Sequence, residues 1–216
     1  MTVIQTILIY AIPILFAITV HEVAHGWVAN RLGDPTARML GRLTLNPIKH
    51  IDPVGTIFVP FVVFYLSGFI FGWAKPVPIT WQNLRHPRRD MAIVALAGPM
   101  SNLLMAFLWA LLAKSGETLA QAYDGWGPAV ALITMGEAGI FINLILMVLN
   151  LIPIPPLDGS KVLSSFLPPK ASYWLGRYEW IGLILLLILI WAGLLGGVLL
   201  PIVSRIGSFI LKIFGL

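Results

Sequence analysis

Two histidines four residues apart, with a glutamate beside the first, are the residues of this chain best suited to chemistry. His21, Glu22 and His25 read His-Glu-x-x-His near the end of the first apolar run. On an α-helix the two imidazoles project from the same face and can bind one Zn²⁺, while the carboxylate of Glu22 can reach a water molecule on that ion. The spacing therefore predicts a zinc site equipped for hydrolysis.

The position of this motif adds weight to its spacing. Three ionisable groups in one turn at the end of an apolar helix are costly unless they have a function, so charge inside a membrane is itself a functional hypothesis. The alternatives are a chance match to a five-residue pattern, or two core histidines that are satisfied by hydrogen bonds.

The composition is typical of an integral membrane protein. Of the 216 residues 58% are hydrophobic and 11% are charged, whereas soluble domains carry about 25% charged residues. The net charge of +5 does not indicate a nucleic-acid partner, because basic cytoplasmic loops of a membrane protein give the same excess. The chain has no cysteine, which excludes disulfides, thiolate zinc ligands and a cysteine nucleophile. We predict one membrane domain, residues 1–216, in contact with lipid.

The apolar runs predict an all-α, polytopic bundle of about five to six transmembrane helices. Residues 2–20 lack a basic start and a small-residue cleavage site, so we expect a retained helix rather than a signal peptide. The tail at residues 201–216 is either a last span or an interfacial helix. The predicted helices are residues 2–31, 91–113, 129–151 and 173–200, the last of them interrupted by Gly193, Gly196 and Gly197.

The stretch after the first helix predicts short β-strands. Residues 36–52 alternate in hydropathy between turn residues, which favours a short strand or hairpin. The Pro-rich segment Lys75-Pro76-Val77-Pro78-Ile79 suits an edge strand, because proline cannot donate to a ladder. His50 lacks helical spacing to a partner, so we expect a surface or loop histidine rather than a metal ligand.

Basic residues decide between two topologies for the apolar residues 54–72. If this segment crosses the membrane, five lysines and arginines lie on one side and seven on the other. If it re-enters, eleven lie on one side against Lys114 alone. The positive-inside rule therefore favours a re-entrant segment, with the amino terminus outside and His21 and His25 near the cytoplasmic face.

A second polar position reaches the same depth at the end of a later helix. Residues 150–159 contain three prolines, so the backbone must unwind at membrane depth, which is tolerated only against protein or a cavity. Asp158 is placed where a third metal ligand would be needed; alternatively, it is a loop residue that caps the following helix. Asn102 has two uses left open, hydrogen bonding between helices or contact with the active-site region.

These motifs resemble the site-2 protease family of intramembrane zinc metalloproteases, over residues 5–165. The resemblance implies one zinc ion per chain, with His21, His25 and Asp158 as its ligands and Glu22 as the catalytic base. The chain lacks a PDZ or CBS domain and is similar to the short branch of the family. The motifs that carry the resemblance are His21-Glu22-x-x-His25, Gly98-Pro99-x-x-Asn102 and Asn150-x-x-Pro153-x-Pro155-x-Leu157-Asp158-Gly159.

The resemblance also implies where substrate binds. Asn150 and Pro153 match positions that engage substrate in relatives. The family also has a small membrane-associated β element after the first helix; residues 36–52 fit its first strands, and the five residues from Lys75 to Ile79 fit its edge strand, which pairs with an extended substrate. We place Asn102 with these substrate-binding candidates. The implied partners are transmembrane protein substrates, cleaved near the cytoplasmic face of a prokaryotic membrane by a monomer or an oligomer.

Three functions follow from these observations. The first is an intramembrane protease, and the second is an inactive relative that binds transmembrane segments. The full ligand set together with Glu22 argues against the second. The third, a metal transporter, would need further acidic or histidine ligands along a path, yet the remaining carboxylates lie mostly in loops, with Glu137 as the main exception.

Overall fold

Seven helices dominate a computed structural model that describes residues 3–59, 61, 62, 65, 72, 74–123 and 126–216. The long first helix ends at Arg31, as predicted, and two residues later Gly33 takes a positive φ of 115°. The helices are α1 (Val3–Arg31), α2 (Pro87–Ala122), α3 (Gly127–Asn150), α4 (Asp158–Phe166), α5 (Pro169–Arg177), α6 (Glu179–Trp191) and α7 (Leu194–Phe214).

Four of these helices, α1, α2, α3 and α7, are long and apolar enough to cross a membrane. The α5–α6 pair, bent by 63°, raises the number to five if it counts as one span. The described chain is therefore consistent with a multi-pass membrane protein, at the lower end of the predicted five to six spans.

The carboxyl-terminal third differs from the prediction of one helix over residues 173–200. The chain breaks at Tyr178 and again at Gly193, whose φ of 71° is a left-handed conformation that favours glycine. Residues 194–200 instead join the predicted tail across Pro201 to form the 21-residue helix α7. The Lys114 ammonium donates to the carbonyl of Gly215 at 2.9 Å, which fixes the carboxyl end of α7 beside the outer part of α2.

Helices α2 and α3 pack closely because small residues face large ones between them. A Cβ on Gly139 would collide with the ring of Trp109, and a Cβ on Gly136 would lie 2.8 Å from the carbonyl oxygen of Trp109. Small residues of this kind let the backbones of membrane helices approach each other. This contact fixes the rotation of α3 and therefore directs Asn143 toward α2.

The predicted β element is absent: neither residues 36–52 nor residues 74–79 form a strand. The first stretch holds a helical turn at Thr36–Met39 and a 3₁₀ turn at Pro47–His50. The second is extended, but Pro76 and Pro78 have no N–H to give a ladder. Nine of the nineteen residues of the re-entrant segment predicted at residues 54–72 lie outside the described residues, and so does this prediction.

The extended segment from Lys75 to Ile79 is instead held by loops and side chains. Its first N–H donates to the carbonyl of His50 at 2.9 Å, and the guanidinium of Arg42 donates to the carbonyl of Lys75 at 2.9 Å. Just beyond it, the N–H of Thr80 donates to the carboxylate of Asp34 at 2.7 Å. The segment is thereby fastened across the carboxyl end of α1.

Candidate metal centre

Three candidate ligand atoms meet where the carboxyl-terminal part of α1 approaches the first residue of α4. The Nε2 atoms of His21 and His25 lie 3.0 Å apart. Each of them lies 3.1 Å from Oδ2 of Asp158. All three side chains are buried. The structure therefore brings the two helical histidines together with an aspartate that follows them by 133 residues.

The outer nitrogens of the two imidazoles explain why these three atoms suit a metal ion. Nδ1 of His21 lies 2.6 Å from Oδ1 of Asn102, and Nδ1 of His25 lies 2.7 Å from the carbonyl oxygen of Val94. Both oxygens only accept, so both Nδ1 atoms carry the proton in the neutral rings and both Nε2 atoms present a lone pair. Two nitrogens and one carboxylate oxygen then face one another without a proton between them, and such a donor set fits Zn²⁺.

The chain after α3 brings Asp158 to the histidines by a compact turn. Residues 151–157 turn back under α4, with a cis peptide between Pro155 and Pro156. A Cβ on Gly159 would lie only 2.5 Å from the carbonyl oxygen of Ile152, so the turn can be this tight only beside a glycine. The ammonium of Lys161 lies 3.3 Å from Oδ1 of Asp158, which leaves the other carboxylate oxygen to face the histidines.

Helix α2 crosses directly over the ligand atoms at Gly98. A Cβ at this position would lie 2.5 Å from Cε1 of His21 and would also collide with Nε2 of His25. Any side chain here would occupy the space that the two imidazole rings fill. The glycine of the Gly98-Pro99-x-x-Asn102 motif therefore serves close approach to the metal ligands.

Glu22 lies beside the ligands, at the wall of a small cavity. Its Oε2 accepts a hydrogen bond of 2.7 Å from the N–H of Val77. The cavity has a volume of about 60 Å³, which is enough space for water molecules. It is lined by Glu22, His25, Pro76, Val77, Ile79, Trp81, Ala95, Asp158 and Lys161. The carboxylate of Glu22, two candidate metal ligands and an extended backbone thus share one water-sized space.

Asp34 holds the far end of the extended segment. Its buried carboxylate accepts from the N–H of Thr36 at 3.1 Å, the N–H of Thr80 at 2.7 Å and the side-chain amide of Asn83 at 3.0 Å. Burial alone would raise the pKa of Asp34, but the hydrogen bonds from Thr36, Asn83 and Thr80 outweigh it, so its pKa lies below the usual value. Residue 34 is therefore ionised at neutral pH and fastens this segment to the end of α1.

Two predicted positions are buried and hydrogen-bonded. Asn102 is 0% exposed, and its amide is hydrogen-bonded to His21 and to two groups on neighbouring helices, so both uses left open for it are observed; a substrate contact of Asn102 stays a prediction. His50 is buried rather than at the surface, and its Nε2 donates to the carbonyl of Thr44 at 2.9 Å. It is not a member of the metal-binding group found among the described residues.

The remaining substrate-binding candidates divide into two groups. Pro76, Val77 and Ile79 line the cavity beside Glu22. The other four candidates, Lys75, Pro78, Asn150 and Pro153, are not among the described residues that line it. Asn150 is half-buried, and its amide donates to the carbonyl of Leu146 one turn earlier in α3.

Two contacts of the site carried little or no sequence signal. Val94 contributes a backbone carbonyl to His25, and no side-chain type reveals such a role. Asn143 is a polar residue inside an apolar helix, which was a signal, but its partner on α2 depends on packing. The contact between Lys161 and Asp158 is different, because their spacing of three residues on a helix is a sequence signal that places the two side chains together.

Comparison with known proteins gives three informative relatives, each named "Putative zinc metalloprotease". YwhC of Bacillus subtilis is 37% identical over 207 residues, which are 94% of this chain and 89% of YwhC. Rip2 of Mycolicibacterium smegmatis is 34% identical over 178 residues, 82% of this chain and 64% of Rip2. MJ0611 of Methanocaldococcus jannaschii is 39% identical over 70 residues, 32% of this chain and 31% of MJ0611. No family model matches the chain, and no solved structure matches it.

Proposed function

We propose that this chain, which belongs to the zinc metalloprotease family of YwhC, is an intramembrane protease that hydrolyses peptide bonds within or near transmembrane segments of other membrane proteins. The observation that carries the proposal is that ligand atoms of His21, His25 and Asp158 lie within 3.1 Å of one another. The two histidines and Glu22 are on α1, a helix apolar enough to span a membrane. Such ionisable groups inside a span are costly unless they serve a function.

The roles of the residues follow from their positions. A zinc ion held by His21, His25 and Asp158 supplies a Lewis acid for activating water and polarising the scissile carbonyl. Glu22 takes a proton from the attacking water as the new C–O bond forms, and it returns that proton to the leaving amine as the C–N bond breaks. The Val77 N–H, bonded to one carboxylate oxygen, holds Glu22 in place and leaves its other oxygen for this proton.

The extended segment from Lys75 to Ile79 is the proposed docking strand for substrate. A peptide bond inside a helix is shielded, because its carbonyl is already hydrogen-bonded, so the substrate helix must unwind near the site. Pro76 and Pro78 lack N–H groups, so this segment offers a partner mostly carbonyl acceptors, and an unwound substrate strand brings the N–H donors. Main-chain pairing of this kind demands little of the substrate sequence.

The excess of basic residues on one side supports a cytoplasmic-face location for the site, in a prokaryotic membrane. Asp158 follows the carboxyl end of α3, and the His21 pair lies toward the carboxyl end of α1. If α1, α2 and α3 cross the membrane in alternating directions, the carboxyl ends of α1 and α3 lie on the same side of it. The proposed substrates are therefore membrane proteins cut near their cytoplasmic ends.

The test uses the full chain reconstituted with a panel of transmembrane peptides that carry residues of low helix propensity. The wild type is expected to cut within or near the apolar segment, located by mass spectrometry, and a zinc chelator should abolish the cut. Glu22→Gln should retain zinc but lose cleavage, and Asp158→Ala should lose both. The matched control is Glu137→Gln on α3, which removes another carboxylate outside the site and should leave cleavage intact. Cleavage by Glu22→Gln at the wild-type rate would refute the role of Glu22.

A further inference from the structure

Two asparagines on neighbouring helices form a buried polar link behind His21. Asn102 on α2 and Asn143 on α3 are both 0% exposed. The Nδ2 of Asn102 lies 2.9 Å from Oδ1 of Asn143, and the Oδ1 of Asn102 lies 2.6 Å from Nδ1 of His21. The proposed mechanism gives neither asparagine a role, although two buried amides in apolar helices need a reason.

The orientation of both amides follows from one backbone carbonyl. The side-chain nitrogen of Asn143 lies 2.8 Å from the carbonyl oxygen of Gly139, which can only accept. Asn143 must therefore direct its NH₂ to Gly139 and its oxygen to α2. That oxygen in turn requires the NH₂ of Asn102, so the oxygen of Asn102 is left to face His21.

The same chain of hydrogen bonds sets the proton on His21. Since Oδ1 of Asn102 can only accept, Nδ1 of His21 must donate, and Nε2 keeps its lone pair toward Asp158 and His25. The Asn102 NH₂ also lies 3.2 Å from the carbonyl of Ala17, one turn before His21 on α1. The amide therefore fixes both the tautomer of the imidazole and its position relative to its own helix.

We propose that Asn102 and Asn143 are positioning residues that hold His21 as the Nδ1–H tautomer and so prepare its Nε2 to bind zinc. The two histidines are held differently: His25 uses one bond to the carbonyl of Val94, whereas His21 depends on side chains from two other helices. Metal affinity is thereby coupled to the packing of α3 against α2. The inference rests on the proposed zinc site.

The magnitude follows from what each substitution removes. Asn102→Leu deletes the acceptor for His21 and leaves a buried N–H unpaired, so we expect zinc to bind about 100-fold more weakly, the upper end of the effect of such outer partners. Asn143→Leu removes only one of two acceptors for the Asn102 NH₂, because Ala17 remains. We expect that variant to bind zinc about tenfold more weakly, the lower end of the range.

The first measurement is zinc affinity of the purified full chain by competition with a chelator. Thr134→Val is the control, because it removes a polar side-chain group from the same helix α3 at a half-buried position, where the hydroxyl donates to the carbonyl of Val130 one turn earlier. It should leave zinc affinity unchanged. Circular dichroism and thermal unfolding establish which variants fold. If Asn102→Leu does not fold, Asn143→Leu decides, and zinc affinity equal to wild type in the folded Asn143→Leu variant would overturn the role of Asn143.

The second measurement separates positioning from simple loss of structure. In ¹⁵N spectra of the zinc-loaded protein, we expect protected Nδ1–H signals from both ligand histidines. Asn102→Leu should remove the signal of His21 through exchange with solvent and retain that of His25, which the Val94 carbonyl protects. Retention of both signals with wild-type zinc affinity would refute the proposal. Absence of stoichiometric zinc in the wild type would instead refute the metal site itself.

Discussion

The replacement Gly98→Ala tests the geometry of the metal centre with one carbon atom. The new Cβ would lie 2.5 Å from Cε1 of His21, whereas ordinary contacts of a Cβ begin at 3.4 Å. The ring or the helix must therefore move by about 1 Å, and His25 is displaced by the same methyl group. Zinc ligands tolerate only about 0.2 Å of displacement from their bonding distances.

The expected sign is opposite to that of most Gly→Ala changes in helices. Alanine stabilises a helix interior by about 0.5–1 kcal/mol relative to glycine. At Gly98 this gain is outweighed by overpacking, which typically costs about 1–3 kcal/mol, and the displaced rings no longer converge on one point. We expect Gly98→Ala to fold with reduced stability, to bind zinc at least 100-fold more weakly and to show no cleavage.

The assay measures zinc per chain by elemental analysis, chelator competition and peptide cleavage on the same preparation. Gly196→Ala in α7 is the control, since a Cβ there meets no atom within 4 Å; it should match or exceed the stability of the wild type and keep its zinc. A folded Gly98→Ala protein with one tightly bound zinc and normal cleavage would show that α2 does not cross the ligands as described.

Two further predictions concern the extended segment. Val77→Pro removes the N–H that holds Glu22, so the turnover rate should fall while the zinc content measured by elemental analysis stays at one per chain; unchanged turnover would contradict this role. Asp34→Asn weakens the hydrogen bonds that the carboxylate accepts from Thr36, Thr80 and Asn83. The free energy of unfolding at pH 7, measured by thermal unfolding, should therefore fall by about 1.5–3 kcal/mol. Because the folded pKa of Asp34 lies below its usual value, its stabilisation is complete above about pH 4. The difference in free energy of unfolding between wild type and variant should therefore shrink as acid protonates Asp34. A difference that grows in acid would contradict the stabilising role of the Asp34 carboxylate.

The parts of the site that the sequence predicts are those set by helical periodicity and by depth in the membrane. His21 and His25 share a face because they are four residues apart on α1, and any regular helix gives that result. Asp158 was placed near them by the unwound stretch after Asn150 and by the distribution of basic residues. The argument for the histidines uses only the geometry of a helix, and the argument for Asp158 uses only its depth in the membrane.

The parts that the sequence did not predict depend on packing between distant segments. Three glycines indicated an interruption of the predicted helix over residues 173–200, but the sequence does not show that Gly193 alone would break it, and the break at Tyr178 was not predicted. The β prediction for residues 36–52 rested on alternation, which turns and 3₁₀ segments also produce. The role of Asn102 required knowing that α1 and α3 both meet α2 at that turn.

A single hydrogen bond joins Glu22, the proposed catalytic base, to the extended segment proposed to dock substrate. Because Pro76 and Pro78 have no N–H, Val77 supplies the donor in the middle of the segment, and Glu22 already occupies it. A substrate strand must then pair with the carbonyls of this segment, since a strand that took the Val77 N–H would release the base. Its own N–H groups are the donors, so a substrate residue replaced by proline at the pairing position should resist cleavage more than the same replacement farther from the site. Because the Val77 N–H is bonded to Glu22, the substrate must supply the N–H donors of the main-chain hydrogen bonds, and the extended segment supplies the carbonyl acceptors.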